Sequence, residues 1–237
     1  MIPLKNELVF KTTADGSLTL YVPNLDEHYH SMNGAIQESQ HVYIEAGLNH
    51  YIRSSNGKCK EIQVLEFGFG AGLNVFLTAL EAEKQKISIH YTALEKFPLT
   101  QDITNQLNYS TLDRALFQHI HQSEWGSPVP ITPFFTLRKL SLDFAAFDFP
   151  SRYDVVYYDA FAPDKQPEVW SQELFDKLFS AMSRGGILTT YCAKGSVRRM
   201  MQQAGFRVER IPGASGKREM LRAKVLEKLG SDDEKDE

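Results

Sequence analysis

Val64-Leu65-Glu66-Phe67-Gly68-Phe69-Gly70-Ala71-Gly72-Leu73-Asn74 reads as a short apolar strand that runs through three alternate glycines into a helix. Glycines at such a turn let backbone pass close to a ligand, and the helix start behind them presents free N–H groups. A dinucleotide fingerprint, G-x-G-x-x-G, requires glycine where Leu73 stands, so a nicotinamide oxidoreductase is disfavoured. The pattern E-x-G-x-G-x-G suits an adenosine-type cofactor instead. Its candidate contacts are Glu66, Gly68, Gly70, Gly72 and Asn74. A plain glycine turn is the alternative for this stretch alone.

Outward from this loop the chain alternates strands and helices. Residues 62–67 predict a buried strand, 73–84 a helix, 87–94 a strand, and 99–107 a helical stretch. Strands follow at 134–142 and 153–159, a helix at 167–182, a strand at 186–192, a helix at 197–204 ended by Gly205, and a strand at 206–211. Apolar strands alternating with helices indicate a mostly parallel sheet covered on both faces, an α/β fold. Upstream, residues 8–22 read as a β-hairpin around Asp15-Gly16, and residues 36–53 as a helix with Ile36, Val42, Ile44 and Leu48 apolar. The expected organisation is an N-terminal β-hairpin and helical extension (1–55) packed on a Rossmann-like domain (56–230). A disordered acidic tail (231–237) follows.

Composition restricts the function classes. The chain has 237 residues and a formal net charge of −4. The last six residues hold five acids and one lysine, so the remaining body is neutral. From Arg184 to Lys228 eleven basic residues face three acids. That local excess suits a phosphate backbone or, equally, an ordinary solvated face. No apolar run is long enough for a membrane span, and Met1–Glu7 lacks the basic-then-apolar pattern of a signal peptide. Cys59 and Cys192 match no metal-ligand spacing and read as free thiols of a reducing cytoplasm, with no metal expected.

Two acids extend the site. Glu95 ends the second strand, 23 residues after Gly72, an offset from which a carboxylate can accept ribose hydroxyls. A surface carboxylate at a strand end is the alternative. Tyr153–Asp159 is a buried strand ending in Asp159, followed by Ala160-Phe161-Ala162-Pro163. Ligands of open α/β sheets bind outside the carboxyl ends of the strands, so Asp159 is expected in the crevice. Phe161 offers a flat face to a base and Pro163 stiffens the loop. A capping role for Asp159 and simple packing for Phe161 are the plainer readings.

Taken together, Glu66–Asn74, Leu94-Glu95-Lys96-Phe97-Pro98-Leu99-Thr100, Asp159–Pro163 with Pro167-Glu168-Val169-Trp170, Ser196–Arg199 with Ala204-Gly205-Phe206, and Gly216-Lys217-Arg218-Glu219-Met220-Leu221 resemble a known family. It is the bacterial tRNA (5-methylaminomethyl-2-thiouridine) methyltransferases, found stand-alone (MnmD type) or as the N-terminal half of a bifunctional enzyme (MnmC) with a flavin-dependent oxidase. The resemblance spans about residues 8–225. It implies a Rossmann-like fold, S-adenosylmethionine as cofactor, and methylation of an aminomethyl nitrogen on a wobble uridine of the tRNA anticodon loop. A separate FAD-dependent oxidase upstream is a further implied partner. The resemblance adds Lys96 to the cofactor residues, and Asp143 as the acid nearest the place where the family binds the adenine amino group, a residue or two late.

An alkylammonium with an ordinary pKa of about 10 has no lone pair. Asp159 is therefore expected to accept its proton, directly or through water, or to bind and orient it. Tyr29, Phe161 and Trp170 are candidates for stacking, and His30 and His41 lie in the segment that also resembles the family. Lys217 and Arg218, in a glycine-flanked loop, are expected on phosphate or substrate. The alternatives are a methyltransferase or aminopropyltransferase acting on a small amine, and a non-catalytic module that binds cofactor or RNA.

Overall fold

The computed structural model describes residues 8–55, 59–109, 113–150, 152–214 and 216–226; the expected tail at 231–237 lies outside them. The central sheet holds β4 (Glu61–Phe67), β5 (Ser88–Glu95), β6 (Pro128–Thr132), β7 (Phe135–Ser141), β8 (Tyr153–Tyr158), β9 (Met182–Thr190), β10 (Arg207–Pro212) and β11 (Glu219–Lys224). Its order is β10-β11-β9-β8-β4-β5-β7-β6. The five inner strands β7, β5, β4, β8 and β9 are parallel, while β6, β11 and β10 pair antiparallel. From β4 the chain builds outward through β5 to β7, then returns to lay β8 against the other side of β4. The carboxyl ends of β4 and β8 thus meet at a topological switch point, where open α/β sheets form their crevice.

Strand alternation sorts the core into two layers. Ile62 and Val64 of β4 and Val155 and Tyr157 of β8 face one side. Packed there are α3 (Leu73–Gln85), α5 (Arg114–Gln122) and an N-terminal helix. Leu65, Phe67, Val156 and Tyr158 face the other side, under α6 (Gln172–Ala181) and α7 (Gly195–Ala204). Glu66 is on the same parity as Val64, and this turns it into the α3 layer.

The N-terminal segment forms a small antiparallel sheet of β1 (Val9–Thr12), β2 (Leu18–Val22) and β3 (Glu27–His28). A long helix follows: α1 (Ala35–Ser39), a π-wound stretch (Gln40–Asn49) and α2 (His50–Ser54). Gly47 lets it sit directly on the sheet, since a Cβ there would meet Thr189 Oγ1 at 3.1 Å and the Tyr157 ring at 3.2 Å. Val42, Tyr43, Ile44 and Leu48 are buried in the α3-side core.

Several elements differ from their expected form. The stretch 99–107 contains only a short helix, α4 (Gln101–Thr104). The helix expected from Pro167 begins as a 3₁₀ turn (Pro167–Val169), and α6 starts afresh where Ser171 Oγ accepts the Leu174 N–H at 3.2 Å. The strand expected at 186–192 begins earlier, at Met182. Helix α5 and strands β3, β6 and β11 were not anticipated. Asp113 caps α5 through the Leu116 N–H. Strand β6 carries two prolines, which only an edge position tolerates. Strand β11 mixes Glu219, Arg222 and Lys224 with Met220, Leu221 and Ala223, and is legible as a strand only through its partners β9 and β10.

Candidate active site

A cavity of about 230 Å³ opens at the switch point. Its floor is the glycine loop. Gly68, Gly70 and Gly72 all have positive φ (94°, 49° and 74°). At Gly68 a Cβ would stand 2.6 Å from the Asp159 carbonyl oxygen, and at Gly70 3.1 Å from the Tyr29 ring. The loop is pinned by Gly68 and Phe69 N–H donors to the Leu94 carbonyl, both at 3.0 Å. Glu95 accepts from the Gly70 N–H at 3.0 Å and from the Phe97 N–H at 2.8 Å. Burial raises the Glu95 pKa against these donors.

Asp159 follows β8 and is held from two sides. The Tyr43 hydroxyl, on the π-wound stretch, donates to Oδ1 at 2.5 Å, and Asn74 Nδ2, in the first turn of α3, donates to Oδ2 at 2.8 Å. Burial pushes the Asp159 carboxyl up to about 7, and the Glu38 charge adds to the rise. The bonds from Tyr43 and Asn74 and the Lys217 charge oppose it without cancelling it. Burial, with Asp159 adding to it, raises Tyr43 well above its ordinary value, so it remains a donor.

Opposite Asp159 the wall is aromatic and ionic. Tyr29 meets Phe161 edge-on at 5.3 Å. Trp170 does not line the cavity; its indole N–H donates to the Phe161 carbonyl at 2.7 Å. Lys217 pairs with Glu38 at 2.5 Å and lies 4.3 Å over the Tyr191 ring. Glu38 also accepts the Ser31 N–H at 2.8 Å, and the Tyr191 hydroxyl donates to the Ala160 carbonyl at 2.9 Å. His30 lines the cavity, and burial lowers its pKa to about 4, so it is neutral. His41 instead contacts the Pro212 carbonyl at 2.9 Å and ties the extension to the β10–β11 turn.

Of the residues expected from sequence, Asp159, Gly68, Gly70, Asn74, Glu95, Lys96, Phe161, Tyr29 and Lys217 line this cavity. Glu66, Gly72, Asp143, Pro163 and Arg218 do not. Glu66 is fully buried beneath the floor because strand parity turns it inward. Gly72 begins α3 and packs on His121. Asp143 caps the 3₁₀ turn Phe144–Ala146 and pairs with Lys96 at 2.5 Å; it is Phe144 that faces the cavity. Arg218 is exposed. Tyr43 and Tyr191 were not anticipated, and Glu38 was expected only as part of the segment 29–41, without its pairing to Lys217. A π-wound turn and a long-range ion pair leave no local pattern in sequence.

Residues 140–225 match a family model described as an S-adenosyl-L-methionine-dependent methyltransferase. The sheet has the Rossmann-like fold of S-adenosylmethionine-dependent methyltransferases, with its cavity at the switch point. More particularly, the chain is similar to proteins named tRNA 5-methylaminomethyl-2-thiouridine biosynthesis bifunctional protein MnmC. It is 29% identical to that of Leptospira interrogans over 88% of this chain and 34% of the relative. With that of Cupriavidus necator it shares 30% identity, over 84% of this chain and 32% of the relative. The chain thus spans about a third of the length of the curated relatives it matches. The solved MnmC2 from Aquifex aeolicus superposes with a TM-score of 0.75 at 25% identity, covering 94% of this chain and 72% of the other.

The residues present fit the cofactor. The floor is a cradle that a Cβ at Gly68 or Gly70 would fill, and a carboxylate, Glu95, stands beside it at the end of β5. Among the described residues no group of three or more His, Cys, Asp or Glu is arranged to hold a metal ion, and no helix is long and apolar enough to cross a membrane.

Proposed function

We propose that the chain N-methylates the 5-aminomethyl group of a wobble (2-thio)uridine in tRNA. The observation that carries this reading is the Asp159 carboxyl, held by Tyr43 and Asn74 and lining an aromatic-walled cavity beside the glycine cradle, where burial pushes its pKa up to about 7. S-adenosylmethionine, when bound, supplies an electrophilic methyl on a sulfonium. Gly68, Gly70, Asn74, Glu95 and Lys96 are the residues that would hold it.

The amine arrives as an ammonium with a pKa of about 10 and must shed one proton to expose its lone pair. An ordinary aspartate, at about 4, is a poor acceptor for that proton. Raising Asp159 to about 7 closes roughly half of that gap. With that lone pair free, the nitrogen could take the methyl that bound S-adenosylmethionine would supply, giving a secondary ammonium and leaving the cofactor as its thioether. The proton on Asp159 leaves to solvent. Tyr43 and Asn74 fix both oxygens, so the acceptor lone pair is aimed before the substrate arrives.

Phe161 and Tyr29 provide an edge-to-face aromatic pair at the cavity wall, suited to a base drawn out of an anticodon loop. The described residues 8–55 serve as an extension packed on the sheet domain that supplies Tyr29, Glu38 and Tyr43. Arg218 is exposed and adjoins Lys217 in sequence. Arg218→Ala is expected to weaken tRNA binding a few-fold and reduce the slope of log K against log salt by about 1. Lys217→Ala removes the partner of Glu38 and is expected to lower turnover as well. Filter binding over a salt series, with initial rates, separates the two; an unchanged salt slope for Arg218→Ala would remove it from the RNA contact.

The deciding experiment is transfer of labelled methyl from S-adenosylmethionine to tRNA from a strain lacking this activity, followed by nucleoside analysis. Label in 5-methylaminomethyl-2-thiouridine supports the assignment. Bound cofactor with label appearing only in added small amines would move the enzyme to a small-amine methyltransferase.

A further inference from the structure

Beneath Asp159 lies a carboxyl that the transfer step does not touch. Glu66 is 0% exposed, and among the described residues no Lys, Arg or His lies within ion-pair distance of it. Asn74 Nδ2 donates to Glu66 Oε1 at 2.9 Å and to Asp159 Oδ2 at 2.8 Å. Asn74 is itself 2% exposed. One amide nitrogen therefore divides its two hydrogens between the two carboxyls.

We propose that Glu66 is a positioning residue, its uncharged carboxyl fixing the Asn74 amide and, through it, the orientation of the Asp159 acceptor oxygen. This rests on Asp159 being the proton acceptor, as above.

The charge state follows from the surroundings. A carboxylate without a cation in a dry layer is strongly unfavourable, and protonation is the usual resolution. The groups facing Glu66 are Asn74 from α3, Tyr91 and Glu95 from β5, and Asp159 beyond β8. Tyr157 of β8 also lies in this layer. None of these is a cation, and Asp159 and Glu95 add repulsion to desolvation, so the Glu66 pKa is well above its ordinary value. Glu66 Oε2 and the Tyr91 hydroxyl are both buried without a partner. Asp159 itself is faced by Tyr43, Asn74, Glu38, Lys217, Tyr191 and Tyr91, and of these only Lys217 is cationic.

Two substitutions test this. Glu66→Leu strands one Asn74 hydrogen, and is expected to lower kcat at least about tenfold with little change in KM for S-adenosylmethionine. Glu66→Gln reproduces a neutral carboxyl, one acceptor and one donor. It is expected to rescue most of the lost kcat and to keep the acidic midpoint of the rate profile within about 0.3 units of wild type. In infrared spectra at mildly alkaline pH, the wild type should show a protonated-carboxyl stretch that Glu66→Gln lacks.

A midpoint lowered by more than about half a unit in Glu66→Gln would show that a negative charge had been removed, and would overturn the proposal. So would a rise in cofactor KM at unchanged kcat, which would mean direct contact with the cofactor. Failure of the wild type to methylate tRNA would overturn the wobble-uridine assignment alone. The infrared band would still decide the state of Glu66.

Discussion

Asp159→Asn is expected to lower kcat by about 10²–10⁴ while making the protein more stable above pH 7. The loss of rate follows from removing the proposed proton acceptor while leaving Tyr43 and Asn74 in place. The gain in stability follows from linkage. The folded pKa of Asp159 is about 7, above its ordinary value of 3.8. The folded state therefore holds the proton more tightly than the unfolded chain does. Stability is greatest below the unfolded value, falls as pH rises between the two, and has lost its full increment above 7. A shift of about three units corresponds to on the order of 4 kcal/mol at full development. Asparagine cannot accept from both donors at once, which returns about 1 kcal/mol of that gain. Thermal melts of both proteins across pH 3–9 check this: the two curves should converge below the unfolded value of 3.8, separate progressively up to about 7, and keep a constant offset above it. The wild-type kcat/KM should rise with unit slope up to about 7 on tRNA substrate, and a flat profile there would remove Asp159 as acceptor.

Gly68→Ala is expected to abolish cofactor binding at ordinary concentrations and to destabilise the fold by about 2–4 kcal/mol. The residue has φ +94°, and the added Cβ would lie 2.6 Å from the backbone oxygen of Asp159. Backbone cannot swing aside as a side-chain tip does, so β4 and β8 must part at their carboxyl ends, where the cradle and the acceptor are both formed. Gly126→Ala separates the two contributions. It has φ +97° but nothing within 4 Å of the added carbon, so it should cost only the conformational strain, about 1 kcal/mol. Calorimetric titration with S-adenosylmethionine, beside melts of both variants, reads the difference. Equal effects at the two positions would mean that strain, not the close approach, governs the loop.

The sequence alone determined the pieces whose physics is local. Alternation of apolar strands and helices gave an α/β sheet, because strand and helix periods are written in neighbouring residues. The three glycines announced a close approach of backbone, because their spacing has few other uses after a buried strand. Asp159 and Glu95 were legible as strand-end acids facing a crevice, because parallel sheets place ligands at the carboxyl ends. Tertiary structure decided what these groups do to one another. It turned Glu66 away from the cavity by strand parity and put Asn74 between two carboxyls. It also brought Tyr43 from a helix 116 residues away in sequence onto Asp159, and sent Asp143 to Lys96 instead of the cavity. Whether Asp159 is an ordinary carboxylate or a proton acceptor tuned near neutrality depends on desolvation and long-range charges. Those belong to the packed layers and leave no period, cap or spacing in the chain.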